Sequence, residues 1–193
     1  MTTGMRSGEI LALRKCDIEE SYINVNYTWN PRFGLKCPKN GYTRKVPLYP
    51  EVKTALEELI SKNPYIDFQD KERSFIFWGK EPGRPLSPNV LTERLYEALD
   101  SIGIKAEERK QRNIVFHSWR HFHATELASH CSEHSAQVVL GHLSPIMTRH
   151  YANHRTEKDL ENVRKAMSPL IKAICKGYTY KEKTCQIKTQ ALP

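Results

Sequence analysis

No apolar run in the 193-residue sequence exceeds four residues, the longest lying at 10–13 and 75–78. A helix that crosses a bilayer needs about 20 apolar residues in a row, and the core of an export signal at least about 7. The sequence therefore predicts neither, and with that a cytoplasmic protein that engages no membrane. Cysteine is scarce and shows no paired pattern. Cys16, Cys37, Cys131, Cys175 and Cys185 are odd in number, and no two have the Cys-x-x-Cys spacing. This excludes a disulfide scaffold or a zinc ribbon and fits reduced thiols. His-Glu-x-x-His is also missing. His117/His121, His130/His134 and His150/His154 share the i, i+4 spacing that can bind zinc, but none has a consistent third ligand. No metal and no cofactor are expected, and the chain has neither internal repeats nor low-complexity segments.

What is abundant is positive charge. Thirty Lys+Arg stand against 22 Asp+Glu, a net charge of 30 − 22 = +8. Both signs are mixed along the chain and no long basic amphipathic helix occurs, so nucleic acid ranks ahead of a membrane as the polyanionic partner. A chain of this length buries roughly 70% of its unfolded surface. It needs no covalent staple to hold a core.

Periodicity predicts a mainly α fold with a small three-stranded antiparallel β-sheet near the N-terminus. Residues 6–13 read as a helix. From 22 to 27, Ile23, Val25 and Tyr27 alternate with Asn24 and Asn26, the period-2 pattern of a half-buried strand. A turn signal at 30–34 and the hairpin dipeptide Asn40-Gly41 follow, before Val46 and Leu48 on a returning strand. Pro50 and Ser87-Pro88 open helices, the second directing Val90, Leu91, Leu95, Ala98 and Ile102 to a core. The run 75–78 fits either element type. A helix is expected from Ser118 to His130, another ending at Gly141, a short one after Ser144-Pro145, and a last one after the capping-box pattern Thr156-x-x-Asp159. The domain is expected to run over 1–175, with 176–193 a basic tail.

On a helical wheel Phe116, Ala124, Leu127, Ala128 and Cys131 share one face, with Arg120 in its middle and His117 close by. An arginine turned toward a core is costly unless an anion meets it. A buried carboxylate and an anionic ligand are both open at this point.

The order of motifs adds to the wheel. Thr3-Gly4-Met5-Arg6 precedes Glu9, His117-Ser118-Trp119-Arg120-His121 follows, then Leu140-Gly141-His142, and Tyr151 lies nine residues beyond His142. In this order and spacing the chain resembles the catalytic domain of the tyrosine recombinases, the phage integrase family, over about residues 1–165. The resemblance implies that Arg6 and Arg120 hold a phosphodiester, with Glu9 as an accessory acid beside Arg6. It further implies His117 as proton acceptor, His142 as donor to the phosphate and Tyr151 as nucleophile. The family's hairpin lysine corresponds best to Lys39, in Pro38-Lys39-Asn40-Gly41, with Lys36 and Lys45 as rivals.

These residue types suit the chemistry. Two guanidiniums offer planar, permanently charged forks to a phosphate gaining negative charge, and a lysine with a lowered pKa can protonate a leaving oxygen. The resemblance also implies double-stranded DNA as partner and a homo-tetramer on paired DNA sites joined through the C-terminal helix. The apolar stripe of residues 156–174 is accordingly expected to dock on a neighbouring protomer, with packing in cis on its own domain the equally weighted alternative. The chain reads as N-terminally truncated, which predicts uncovered apolar surface at Met5, Ile10 and Leu13. The alternatives are an inactive integrase remnant and a non-catalytic DNA-binding module, such as a helix-turn-helix regulator, the latter disfavoured by the full set of Arg, Lys, His, Arg, His and Tyr.

Overall fold

Alternation makes the first strands, and turn chemistry decides how they pair. The computed structural model describes residues 2–38, 41–66, 70–141 and 157–176. After helix α1 (Ser7–Leu11) come strands β1 (Tyr22–Val25), β2 (Thr28–Asn30), β3 (Gly34–Lys36) and β4 (Arg44–Pro47). β1 buries Ile23 and Val25 and pairs antiparallel with β4, setting Ile23 opposite Val46 and Val25 opposite Arg44. β2 and β3 form a hairpin of their own. The single three-stranded sheet expected over 22–48 is thus replaced by two two-stranded ladders.

The reason is local. Asn30 Oδ1 accepts the backbone N–H groups of Arg32 and Phe33, and Gly34 takes a φ of 72°, which closes a tight turn and commits β2 to β3. Asn26 breaks the run from β1, its side-chain amide donating to the buried carboxylate of Asp17 at 3.0 Å. The free edge of β1 is then left for β4.

The helices that follow are α2 (Pro50–Ser61), α3 (Pro88–Ser101), α4 (Ala106–Gln111), α5 (Ser118–His130), α6 (Glu133–Leu140) and α7 (Glu157–Lys176). Proline opens α2 and α3 as expected. The ambiguous run 75–78 forms neither helix nor strand: Phe75 and Trp78 make isolated antiparallel bridges to Arg14 and Pro85, and the N–H of buried Ile76 is donated to the Leu13 carbonyl. α4 has no counterpart in the sequence reading because it buries nothing. Glu107 and Glu108 in its first turn and Arg109 and Lys110 in its last suit the helix dipole instead of an apolar stripe. Ile102, expected in the core, caps the end of α3 and is 70% exposed, while Leu95 and Leu99 face inward.

The apolar face of the β1–β4 ladder, Ile23, Val25, Val46 and Leu48, is covered by α6 and α7 and forms one core with Leu127 of α5, Val139 of α6, and Val163, Met167 and Ile171 of α7. The centre of the 156–174 stripe, at Val163, Met167 and Ile171, thus packs in cis against its own domain. A correction lies at the N-terminal end, where Met5 and Leu13 belong to the core and are not uncovered. No described helix is long and apolar enough to cross a membrane.

Candidate active site

The first part of the site is built by the N-terminus of α1. Glu9, at the third helical position, turns back so that its carboxylate accepts the Arg6 backbone N–H at 2.8 Å and Arg6 Nη1 at 3.0 Å, satisfying an end donor of the helix. Glu9 is buried, yet Arg6 keeps 34% of its side chain exposed. The same carboxylate accepts both terminal nitrogens of Arg44, Nη1 at 2.9 Å and Nη2 at 2.6 Å. Burial pushes the Glu9 pKa up, but the bonds to Arg44 and Arg6 outweigh it and bring it down to about 2.

Arg44 reaches this place by strand parity. It shares a face with Val46 and Leu48, so its guanidinium is carried inward, where Nε also donates to the Val139 carbonyl at 2.8 Å. α6 ends one residue later, at Leu140, with Gly141 in the left-handed region at φ 65°. A Cβ on Gly141 would sit 3.2 Å from Arg44 Cδ, so a side chain there would be both strained and crowded.

Arg120 enters from α5 and is 3% exposed. Its Nη1 donates to the Gly4 carbonyl at 2.5 Å and its Nη2 to the Leu140 carbonyl, while Nε is buried with no partner among the described residues. Among the described residues Arg120 therefore makes no internal salt bridge of the kind the wheel left open, because Glu9 accepts its hydrogen bonds from Arg6 and Arg44. Burial, then the charges of Arg6 and Arg44, lower the Arg120 pKa to about 10. Two arginines thus cap the last carbonyls of α6, those of Val139 and Leu140, which the helix itself cannot satisfy.

His117, at the N-cap of α5, is exposed, and its ring meets that of His121 edge-to-face at 4.8 Å between centroids. Partial burial and the charges of His121, Arg120 and Arg6 hold its pKa below the ordinary histidine value. Of the residues read from the sequence, the structure brings together Arg6, Glu9, His117 and Arg120. Lys39, His142 and Tyr151 lie outside the described residues. The rivals to Lys39 point elsewhere, Lys36 Nζ standing 3.9 Å over the Phe33 ring and Lys45 Nζ 4.0 Å over the Tyr22 ring, on the opposite face of β4 from Arg44.

Sequence reading missed Arg44 and His123. Both carried a signal: Arg44 alternates with Val46 and Leu48, and His123 is one helical turn from Arg120 on the buried side of α5. His123 is 3% exposed and lies beneath Gly4, whose φ of 60° and lack of a Cβ allow the close approach.

The His123 imidazole stays neutral because burial, together with the Arg120 charge, pushes its pKa down from 6.5 to about 4. Below pH 6.5 the unfolded chain takes up a proton that the folded chain refuses until about pH 4, so stability falls as pH drops through that window. The loss is about 3 kcal/mol. Glu9, whose folded pKa is lowered, contributes stability that is present above about 4.5 and lost as pH falls toward 2. Urea unfolding measured from pH 7 to 4 is expected to show the first decline, and His123→Leu to flatten it. An equal slope in the variant would contradict this origin.

The comparisons with known proteins agree with this architecture. Residues 1–158 match the phage integrase family, and the chain belongs to that family. It is 28% identical over 169 residues to the integrase of Staphylococcus phage L54a, covering 81% of this chain and 46% of the phage protein. The chain thus spans about half the length of that relative. Among solved structures, the integrase of the Tn1549 transposon in complex with transposon right end DNA superposes with a TM-score of 0.58 at 24% identity, over 88% of this chain and 56% of that one. XerA recombinase superposes with a TM-score of 0.53 at 22% identity, over 84% of this chain and 53% of its own. The fold is that of tyrosine recombinase catalytic domains.

Proposed function

We propose that this chain is the catalytic domain of a site-specific DNA recombinase that cleaves and rejoins DNA through a covalent 3′-phosphotyrosine, serving integration or excision of a mobile element. The observation that carries the reading is Arg120, a guanidinium buried with no carboxylate of its own among the described residues, beside an Arg6 that is partly open to solvent. Among the described residues Arg6 and Arg44 share the Glu9 carboxylate and Arg120 adds a third guanidinium, an excess of positive charge suited to a phosphodiester. The DNA-bound Tn1549 integrase supports double-stranded DNA as partner.

In this mechanism Arg6 and Arg120 hold the nonbridging oxygens, and His142 donates to them. Tyr151 Oη forms a bond to phosphorus as the bond from phosphorus to the 5′ oxygen breaks. The tyrosine proton passes to His117, whose lowered pKa keeps the imidazole free to accept it, and Lys39 protonates the departing oxygen. Rejoining is the reverse, and the phosphotyrosyl bond conserves the phosphodiester's energy, so no ATP is required. The catalytic domain is taken as 1–175 and 176–193 as a basic tail, with a tetramer on paired sites as the working assembly. The protomers of that tetramer are taken to be joined through the C-terminal helix, whose stripe is buried in cis only at its centre.

The test is adduct formation on a nicked suicide duplex. Adduct is expected to accumulate equally with and without EDTA, since guanidiniums stand where a two-metal nuclease has cations. Arrest by EDTA would contradict the reading. Lys39→Ala is expected to slow cleavage at a normal 5′ oxygen and to regain speed with a 5′-bridging phosphorothioate, a leaving group that needs no proton. Rescue at Lys36 or Lys45 in place of Lys39 would move the general acid.

A further inference from the structure

We propose that Arg44 is a positioning residue of the anion site, which orients Arg6 through Glu9 and fixes the end of α6 through the Val139 carbonyl. The inference rests on the reading of Arg6 and Arg120 as phosphate ligands. Arg44 does not itself reach a ligand, since its side chain is 4% exposed and its Nε, Nη1 and Nη2 are all engaged inside the protein. Its contacts nevertheless reach both the start of α1 and the end of α6. Glu9, which it grips with both terminal nitrogens, is the group that holds the Arg6 backbone and guanidinium. Val139 is the neighbour of Leu140, whose carbonyl accepts Arg120 Nη2. Gly141, over which the Arg44 side chain lies, leads directly into His142. One side chain on β4 thereby couples the start of α1 to the end of α6, two elements far apart in sequence.

A bidentate fork is what this task needs. Glu9 can accept from Arg6 and Arg44 at once only because both of its oxygens are shared between them. A lysine at 44 keeps the charge but cannot bridge both Glu9 oxygens and the Val139 carbonyl. Without the fork Glu9 is free to rotate, and Arg6 loses its fixed direction. Residues that orient ligating groups from behind in this way typically change affinity or activity by about 10–100-fold when altered.

Geometry and charge predict different outcomes, which makes the test decisive. The readout is the affinity of the full chain for inorganic phosphate, followed by NMR of the Arg6 and Arg120 Nε–H signals, so it does not depend on any strand cleavage. Arg44→Lys keeps the net charge and is expected to weaken phosphate binding about tenfold. Glu9→Gln removes a negative charge, so charge alone predicts tighter binding, whereas lost positioning predicts weaker binding. The losses in the double variant are expected not to add, because both act on Arg6 by one route. Should Arg44→Lys fail to fold, Glu9→Gln, nearly isosteric, decides the question by the sign of its effect. Unchanged affinity in Arg44→Lys, tighter binding in Glu9→Gln, or additive losses would overturn the proposal. Failure of the wild-type chain to form a DNA adduct would count against the recombinase reading alone, because the phosphate titration still reports on Arg44.

Discussion

Tyr151→Phe is expected to abolish covalent protein–DNA adduct while leaving duplex binding nearly unchanged. The substitution removes one oxygen and nothing else, and that oxygen is the atom proposed to bond to phosphorus. Affinity for the duplex comes mainly from cations meeting phosphates, which the change leaves in place. The two effects are read on the same protein by electrophoresis of the suicide-substrate reaction and by a binding titration at fixed salt. A variant that still forms adduct would remove Tyr151 from its role. Equal loss of adduct and binding would point instead to a misfolded protein.

Arg120 carries the second large effect. Arg120→Ala is expected to slow adduct formation by about 10²–10³, the usual cost of removing a donor aimed at developing charge. Arg120→Lys is expected to be strongly impaired too, although less so, because lysine keeps the charge and loses the fork. Both changes also free the Gly4 and Leu140 carbonyls, which Arg120 now occupies. Each buried carbonyl left unpaired costs about 1–3 kcal/mol, so rates are compared on the folded fraction. If Arg120 were only a structural brace, both variants would melt earlier and their folded fraction would cleave at the wild-type rate.

The helical half of this site was legible in the sequence because it follows one period. The bounds of α5 and the glycine that ends α6 match the residues named from apolar spacing and cap chemistry. The wheel located Arg120 on the buried face but could not say what meets it, since its partners are backbone carbonyls on two remote segments. Strand pairing was less accessible. Both Asn30–Gly34 and Asn40–Gly41 carry turn signals, and only the pairing itself shows that the first closes a separate hairpin. Arg44 was hidden for a related reason, because a charged residue on an inward-facing position reads as an interruption until its carboxylate partner, 35 residues away, is seen. The stripe of α7 announced burial without naming its partner, for the same leucines and valines can cover a neighbour or their own sheet. The structure turns the centre of that stripe onto β4, α5 and α6.

The central claim concerns one covalent bond, and isolating it is the direct measurement. Wild-type protein is incubated with a suicide duplex, the adduct is digested with protease and nuclease, and the modified peptide is sequenced by mass spectrometry. The account predicts a nucleotide joined through its 3′ phosphate to Tyr151, with a free 5′ hydroxyl on the released strand. Attachment to another residue, linkage through a 5′ phosphate, or cleaved DNA with no protein attached would contradict it.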